Sequence, residues 1–295
     1  MARDRRLLKD RPLQTTKPKP VRKRHHYVPE MILRRFTSNG ADLYIHSKRD
    51  KEPGIRRSKT DKHGVKTAEQ EERFSVLEGR WSAALDAVVA AAKSGSMSGV
   101  QALRDDVVEF FYYQWIRTPE FMQGIDGYEN FAPRLKRYVE EWTEEFRPLT
   151  GDEAKSLVGP EAASRLRQNT IVESLASPMS PEVAAVLRTC RFDIVLIGDD
   201  QEPFVIGSQP VVTVSRPTSV LLITHPGADL WLPIASRAAI KMVPRSSGLG
   251  IQTATERQVR GVNDTMFAQC DAIGGESHEV VESVLGRANA RLPSA

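Results

Sequence analysis

The chain has 295 residues, of which 40% are hydrophobic and 27% charged, and its formal net charge is +4. This composition is typical of a globular protein, and no run of eighteen apolar residues predicts a transmembrane helix. The first residues are charged and lack an apolar stretch, so we expect no secretory signal and a cytoplasmic location.

The positive charge is concentrated near the N-terminus. Residues 1–24 contain ten Lys or Arg and two Asp or Glu, a balance of +8, so that residues 25–295 balance at −4. Three prolines and few apolar groups predict that residues 1–22 form a disordered basic arm. Such an arm suits phosphates or an acidic partner, and a solubilising leader would have the same composition. The candidate phosphate contacts here are Arg22, Lys23 and Arg24.

Two adjacent histidines, His25 and His26, stand where this arm meets the predicted folded region. In an extended segment their side chains point to opposite sides. Either imidazole could act as a general base or acid, and either could instead fix the entry of the arm by a hydrogen bond to the backbone. Both interpretations stay open. A short helix ending in Phe36 and a strand over 43–46 are predicted next.

The first half of the chain is predicted to be helical. Residues 48–66 hold eight Lys or Arg and three Asp or Glu, with Pro53, Gly54 and Gly64, and predict a basic loop in which Arg56 and Arg57 are candidate phosphate contacts. Apolar residues at helical spacing predict helices over 69–93, 100–116, 131–146 and 158–176, with Pro178 and Pro181 ending this half.

The second half is predicted to form a sheet. Strands are expected over 192–197, 204–206, 211–214, 219–224, 230–234 and 238–243, the first two forming a hairpin, and helices over about 252–270 and 276–290. Helices followed by strands indicate an α+β fold, with the helical half packed on a mostly antiparallel sheet. We expect one domain over 23–295, with the helical half at about 67–176 and the sheet half at about 190–250. The opening segment, residues 23–46, should pack across this domain.

Several motifs occur in a characteristic order. They are a basic HHYVPE segment at 25–30, a Glu-rich helix from Glu71, the stretch YQWIRTP at 113–119, IGSQPV at 206–211, PIA at 233–235 and Asn263. Over about 23–270 the chain resembles a bacterial family labelled as domain of unknown function 4238, which implies no assigned reaction. The loop of that family usually carries an Asp two residues before its Pro, where this chain has Ser208.

Candidate site residues follow from these motifs. Arg117, at the end of an aromatic helix, would form a fixed fork for phosphate or an ion pair with Glu72, Glu78 or Asp106. The loop after the second predicted strand should present Ser208 or Gln209, and the resemblance adds Asn263 to this pocket. Nothing in the carboxylate spacing establishes a metal site. No phosphate-cradling glycine motif and no serine-hydrolase motif is present, so we expect no cofactor.

Cys190 and Cys270 are the only cysteines, and we expect both to be buried apolar groups.

The sequence favours nucleic-acid binding, and nuclease activity is a further possibility that it leaves open. In phosphodiester cleavage, the base would be His26, the cation Arg117 and the acid either His25 or Glu72. The alternative is a non-catalytic binding or regulatory module whose His and Arg residues are structural. A hydrolase for a small anionic ligand is a weaker third option. Whether the protein is an enzyme and how it oligomerises stay undecided.

Overall fold

The structure is a computed structural model that describes residues 28–40, 42–50, 54–59, 68–116, 179–215 and 227–290, with isolated positions between 137 and 153. For residues 58, 59, 68–75 and 215 it describes the backbone alone. The described helices are α1 (Glu30–Leu33), α2 (Ala68–Lys93), α3 (Arg104–Ile116), α4 (Pro181–Arg188), α5 (Glu256–Gln269) and α6 (His278–Ala290). The strands are β1 (Asp42–Ser47), β2 (Ile55–Lys59), β3 (Arg191–Leu196), β4 (Ile206–Gly207), β5 (Val212–Ser215), β6 (Asp229–Ala235), β7 (Ala238–Val243), β8 (Leu249–Thr253) and β9 (Ala272–Gly275).

The opening segment forms the predicted short helix. Pro29 has an extended backbone and its carbonyl accepts hydrogen bonds from the amides of Ile32 and Leu33, so that α1 begins directly after it. A 3-10 turn continues α1 to Phe36, which is fully buried. The carbonyl of Arg35 accepts from the amide of Ser236, and this bond holds the segment beside β6.

Helices α2 and α3 pack together through aromatic side chains. The ring centroids of Trp81 and Phe110 are 5.8 Å apart, and those of Trp81 and Tyr113 are 5.3 Å apart. Phe111, on the same helix, lies edge-on to Phe192 of β3 at 5.3 Å. Burying each such side chain contributes roughly 1.5–3 kcal/mol. These contacts join the predicted helical half to the sheet. The helix expected over 100–116 is confirmed, with its first turn, Ser98–Leu103, in 3-10 form.

A five-stranded sheet forms the centre of the C-terminal half, in the order β5-β6-β7-β3-β8. All neighbours are antiparallel except β3 and β8, which run parallel. β7 and β6 are almost entirely buried. The edge strand β8 was not predicted. Its Leu249 exchanges two hydrogen bonds with the side-chain amide of Gln101, which takes the place of a neighbouring strand there.

The predicted hairpin between 192–197 and 204–206 is wrong. β3 pairs with β7 and β8, whereas β4 leaves this sheet and pairs with β9. The chain does turn after β3, where the Gln201 amide donates to the Gly198 carbonyl. Pro203 then follows, and because proline has no N–H it cannot extend a ladder back along β3. The chain instead crosses to a second sheet.

This second sheet has four antiparallel strands in the order β2-β1-β9-β4. It joins strands from both ends of the chain, so the sheet part of the fold is not confined to 190–250. The prediction of a loop throughout 48–66 is wrong at 55–59, which is β2. Its sequence IRRSK alternates poorly, and charged residues of this kind are common on edge strands, where they oppose pairing with other chains.

The C-terminal helices are confirmed, with shorter bounds than predicted because β8 and β9 occupy neighbouring residues. α5 begins at a capping box, in which Thr255 and Gln258 exchange side-chain and backbone hydrogen bonds. Pro181 does not end the helical half. It is the first residue of α4, where a missing N–H costs nothing, and the Ser180 hydroxyl accepts from the amide of Val183.

One connected cluster of buried side chains includes members from both sheets and from the helices before and after them. The fold is therefore α+β, with helices packed on mostly antiparallel strands and two C-terminal helices, as predicted. The arm at 1–22, the strand expected at 219–224 and most of the helices expected at 131–146 and 158–176 lie outside the described residues.

Candidate functional site

The predicted catalytic group is only partly within the described residues. His25, His26 and Arg117 lie outside them, as do Arg22, Lys23 and Arg24. Glu72 lies in α2, where the backbone alone is described. Asp106, one of the carboxylates considered as a partner for Arg117, forms an ion pair with Arg80 at 2.9 Å. A shared site for His26, Arg117 and Glu72 thus remains a prediction.

Two of the predicted pocket residues, Ser208 and Gln209, lie within residues 203–209. We name this stretch the crossing segment because it runs between the two sheets. Ser208 follows β4. Its hydroxyl oxygen accepts from the amides of Asp271 and Ala272, at 3.1 and 3.4 Å, while its own amide donates to the Ala272 carbonyl at 2.9 Å. A serine nucleophile needs a base beside its hydroxyl. Here the hydroxyl instead satisfies two backbone donors at the start of β9.

The backbone of Gln209 is hydrogen-bonded to the thiol of Cys270. Its amide donates to the Cys270 Sγ at 3.4 Å, and the thiol donates to the Gln209 carbonyl at 3.2 Å. Cys270 is buried, and its Sγ also lies 3.5 Å from the Sδ of Met266. A Cβ at Gly207 would overlap both sulfur atoms, so the absence of a side chain at Gly207 permits this close approach.

Asn263 is fully buried in α5. Its Nδ2 donates to the Pro203 carbonyl at 2.8 Å, and its Oδ1 accepts from the Val205 amide at 3.0 Å. These backbone groups lie where the chain has left one ladder and has not entered the next. Both would otherwise be buried without partners, at a cost of about 1–3 kcal/mol each. Asn263 and Ser208 thus bind backbone groups, and the Gln209 backbone binds the Cys270 thiol. That these three residues line one pocket stays a prediction.

The candidate nucleic-acid contacts Arg56 and Arg57 lie on β2, at the edge of the four-stranded sheet. Arg56 pairs with Asp50 at 2.8 Å, and Arg57 pairs with Asp42. Their side chains are 53% and 60% exposed. The hydrogen bond and the charge of Asp42 raise the pKa of Arg57, which keeps it charged. We name residues 42–59 the basic hairpin, since β1 and β2 pair along it.

Two further cations of the basic hairpin have structural partners. The Lys48 ammonium donates to the carbonyls of Phe267 and Ala268 at the end of α5 and lies 4.4 Å from the Phe267 ring centroid. A cation at a helix C-terminus is stabilised by the helix dipole. Arg49 pairs with Asp271 and remains 73% exposed. The Arg residues thus stay accessible at the surface, whereas Lys48 anchors the hairpin to α5.

Sequence reasoning missed a cluster of three charged residues. The guanidinium of Arg287 in α6 binds Glu202 and Asp264, both at 2.9 Å. Burial by itself lowers the pKa of Arg287, but the hydrogen bonds and charges of the two carboxylates outweigh this effect and raise it. The three residues are 23%, 15% and 11% exposed and join α5, α6 and the turn before the crossing segment. No spacing in the sequence indicates this cluster, because the three residues come from separate elements.

Both cysteines are buried, as predicted, and burial raises the pKa of the Cys190 thiol. Among the described residues, no group of three or more His, Cys, Asp or Glu side chains is placed to hold a metal ion. None of the helices that the structure describes is long and apolar enough to cross a membrane.

The model of a protein family matches residues 24–273, which is most of the chain. That family is described as Protein of unknown function (DUF4238). The chain belongs to this family. The predicted resemblance is thereby confirmed. No curated protein and no solved structure gives a significant match. The residues matched to DUF4238 include the basic hairpin and the crossing segment and end within β9, so that α6 lies beyond them.

Proposed function

We propose that this DUF4238 protein is a cytoplasmic protein that binds nucleic acid through its basic N-terminal segment and its basic hairpin. The observation that supports this most is the pair of exposed guanidinium groups, Arg56 and Arg57, on an edge strand. Residues 42–59 contain six Lys or Arg and three Asp or Glu, a balance of +3, and residues 1–24 add +8. The rest of the chain is acidic, so these two segments concentrate the positive charge.

The carboxylate partners of the hairpin are compatible with this role. Ion pairs between exposed side chains contribute about 0–1 kcal/mol, so a phosphate can replace Asp50 at Arg56 at small cost. Asp42 is largely buried, and it keeps the hydrogen bond from the Asn39 side-chain amide when a phosphate binds Arg57. Arg is suited to the exchange because its planar fork binds two phosphate oxygens at once. The two carboxylates also hold the guanidinium groups over β2 before any partner arrives, which lowers the entropy lost on binding.

The crossing segment favours binding without chemistry in that part of the molecule. The Ser208 hydroxyl and the Asn263 amide are occupied by backbone groups, which supports the alternative of a non-catalytic module. Phosphodiester cleavage, if the protein performs it, would use His26 and Arg117 with His25 or Glu72. We keep these roles as a separate part of the proposal, with a separate test.

Binding is tested by titrating labelled RNA and DNA with the full-length protein at salt concentrations from about 50 to 200 mM. The double variant Arg56→Gln/Arg57→Gln should weaken binding and reduce the salt slope by roughly 0.7–0.9 for each phosphate that the variant no longer neutralises. Arg260→Gln is the matched control, because Arg260 is 53% exposed and pairs with Glu256 on α5, away from the hairpin. Equal affinities for the double variant and the control would contradict the role of the hairpin.

Removal of residues 1–22 gives a second arm of the experiment. Nucleic-acid binding should weaken and become less dependent on salt, since several Lys and Arg residues are removed. Turnover of a small anionic ligand would be retained.

Cleavage is measured on the same oligonucleotides with His26→Ala and Arg117→Ala. Loss of cleavage in both variants with retained binding would make the protein a nuclease, whereas bound and uncut nucleic acid in the wild type would make it a binding module.

A further inference from the structure

Three side chains of different chemistry lie on one face of the four-stranded sheet, beside its β2 edge. Tyr44 of β1 is the direct cross-strand partner of Arg57 of β2, so both side chains project from the same face. His278, the first residue of α6, lies on that face. Its ring centroid is 6.4 Å from that of Tyr44, and the two rings are nearly perpendicular, at 87°.

This cluster is accessible to a ligand. The side chains of Arg57 and His278 are 60% and 48% exposed, and Tyr44 is partly buried against the core. Arg57 binds Asp42, which is largely buried, and the His278 Nδ1 lies 3.6 Å from the exposed Glu282. Tyr44 packs partly against the core, which restricts the movement of its ring.

Tyrosine and histidine rings and the guanidinium plane of arginine are the groups on which proteins stack unpaired bases. Bases in a duplex are already stacked on each other and do not offer their faces to a side chain. A cluster of this kind next to a basic strand therefore favours a single strand, whose phosphates follow the cations while its bases reach the rings. The +3 balance of the basic hairpin supplies the complementary charge.

We propose that Tyr44, His278 and Arg57 form a stacking site for the bases of single-stranded nucleic acid, so that this protein prefers single strands to duplexes. The proposal rests on the proposed function and specifies its ligand. Stacking and phosphate binding have different signatures. Removing a cation that binds phosphate reduces the salt slope, whereas removing a stacking ring weakens binding at every salt concentration and leaves the slope unchanged.

The experiment measures the affinity of the full-length protein for fluorescein-labelled oligouridine and oligothymidine strands, and for a duplex of the same length, by fluorescence anisotropy. The wild type should bind the single strands more tightly. Tyr44→Leu and His278→Ala should each weaken single-strand binding about fivefold to a hundredfold, as expected for one stacked base, with the duplex affinity and the salt slope unchanged. The oligouridine and oligothymidine arms distinguish RNA from DNA as the preferred strand.

Two of the variants keep the test independent of folding. Tyr44→Phe retains the ring and should bind as the wild type does, and His278→Ala changes an exposed residue and leaves the core intact. Equal affinity of the wild type for duplex and single strands, or equal weakening of both by His278→Ala, would overturn the stacking site while leaving nucleic-acid binding in place. Absence of binding to every oligonucleotide at low salt would overturn the proposed function as well.

Discussion

The crossing segment and the basic hairpin are both rich in polar interactions, but these interactions differ in kind. Around the crossing segment, the buried Asn263 binds the backbone of residues 203 and 205, and the Ser208 hydroxyl binds the amides at the start of β9. In the hairpin, Arg56 and Arg57 bind carboxylates through guanidinium groups that are more than half exposed, so that water can replace the carboxylates as partners of the two Arg residues. The first set stabilises the fold and the second is available to a ligand.

The difference shows that polar residues near a strand end are not by themselves a binding site. A chain that moves from one sheet to another exposes amides and carbonyls that must be satisfied, and side-chain amides and hydroxyls can do this. Removing such a side chain should cost stability and leave ligand binding unchanged. Removing a surface charge should do the opposite, and the following substitutions test each side.

The largest effect is expected at Asn263. Asn263→Leu leaves the Val205 amide and the Pro203 carbonyl buried without partners, so the free energy of unfolding should fall by about 2–4 kcal/mol. Urea denaturation followed by circular dichroism measures this change. The control is Asn289→Leu, since Asn289 is exposed on α6 and its replacement should change stability by less than about 0.5 kcal/mol. Similar values for the two variants would show that Asn263 does not hold the crossing segment.

A slightly smaller effect is expected at Gly207. Gly207→Ala places a methyl group against Cys270 and Met266 and should destabilise the protein by about 1–3 kcal/mol, as overpacking does in other cores. The same change at Gly286, where a Cβ meets nothing within 4 Å inside α6, should instead stabilise by roughly 0.5–1 kcal/mol. Thermal unfolding compares the two signs.

A double-mutant cycle sharpens this result. In a Cys270→Ala background one of the two overlapping sulfur atoms is gone, so Gly207→Ala should cost less than it does in the wild type. If the cost is the same in both backgrounds, the close approach of Gly207 to Cys270 does not limit the residue at this position.

Ser208 is expected to have a moderate effect. Ser208→Ala removes the acceptor for the amides of Asp271 and Ala272, in the manner of a lost helix cap, and should cost roughly 0.5–2 kcal/mol. Ser208→Asp introduces the residue that the family resemblance leads us to expect there, keeps an acceptor and should retain most of the stability. Chemical denaturation of both variants decides whether the position is structural, since a purely catalytic role would leave both as stable as the wild type.

Much of the fold could be predicted from local sequence. The helices at 69–93 and 252–270 have apolar residues at helical spacing, and β3 and β7 are short apolar runs bounded by turns. Pairing between distant strands could not be predicted this way. β1 binds β9 across more than 220 residues, and nothing in the alternation of either strand specifies that partner. β2 was missed because charged edge strands lack apolar alternation.

For the candidate site, Ser208 and Gln209 lie in the crossing segment and Asn263 binds the backbone of that segment, while a pocket shared by the three stays a prediction. The sequence could not separate a ligand-binding role from a structural one. That distinction depends on whether nearby backbone groups have hydrogen-bond partners. The predicted hairpin between 192–197 and 204–206 would have supplied such partners, but the chain leaves β3 at Pro203. Tyr44 and His278 lie 234 positions apart in the chain, so their proximity has no signal in a single sequence.

The smallest effect on stability is expected in the basic hairpin. Arg56→Gln and Arg57→Gln each remove an ion pair whose guanidinium is exposed, and such pairs contribute about 0–1 kcal/mol. Asp42 is only 14% exposed, but it keeps the hydrogen bond from the Asn39 side-chain amide when Arg57 is replaced. Urea denaturation at low and high salt should therefore give nearly equal stabilities for these variants and the wild type. A decrease of about 2 kcal/mol or more would place the hairpin with the crossing segment, as a structural element whose arginines are needed for folding. An unchanged fold with weaker nucleic-acid binding would instead separate the two regions by function, because the same residues would then contribute to association and almost nothing to folding.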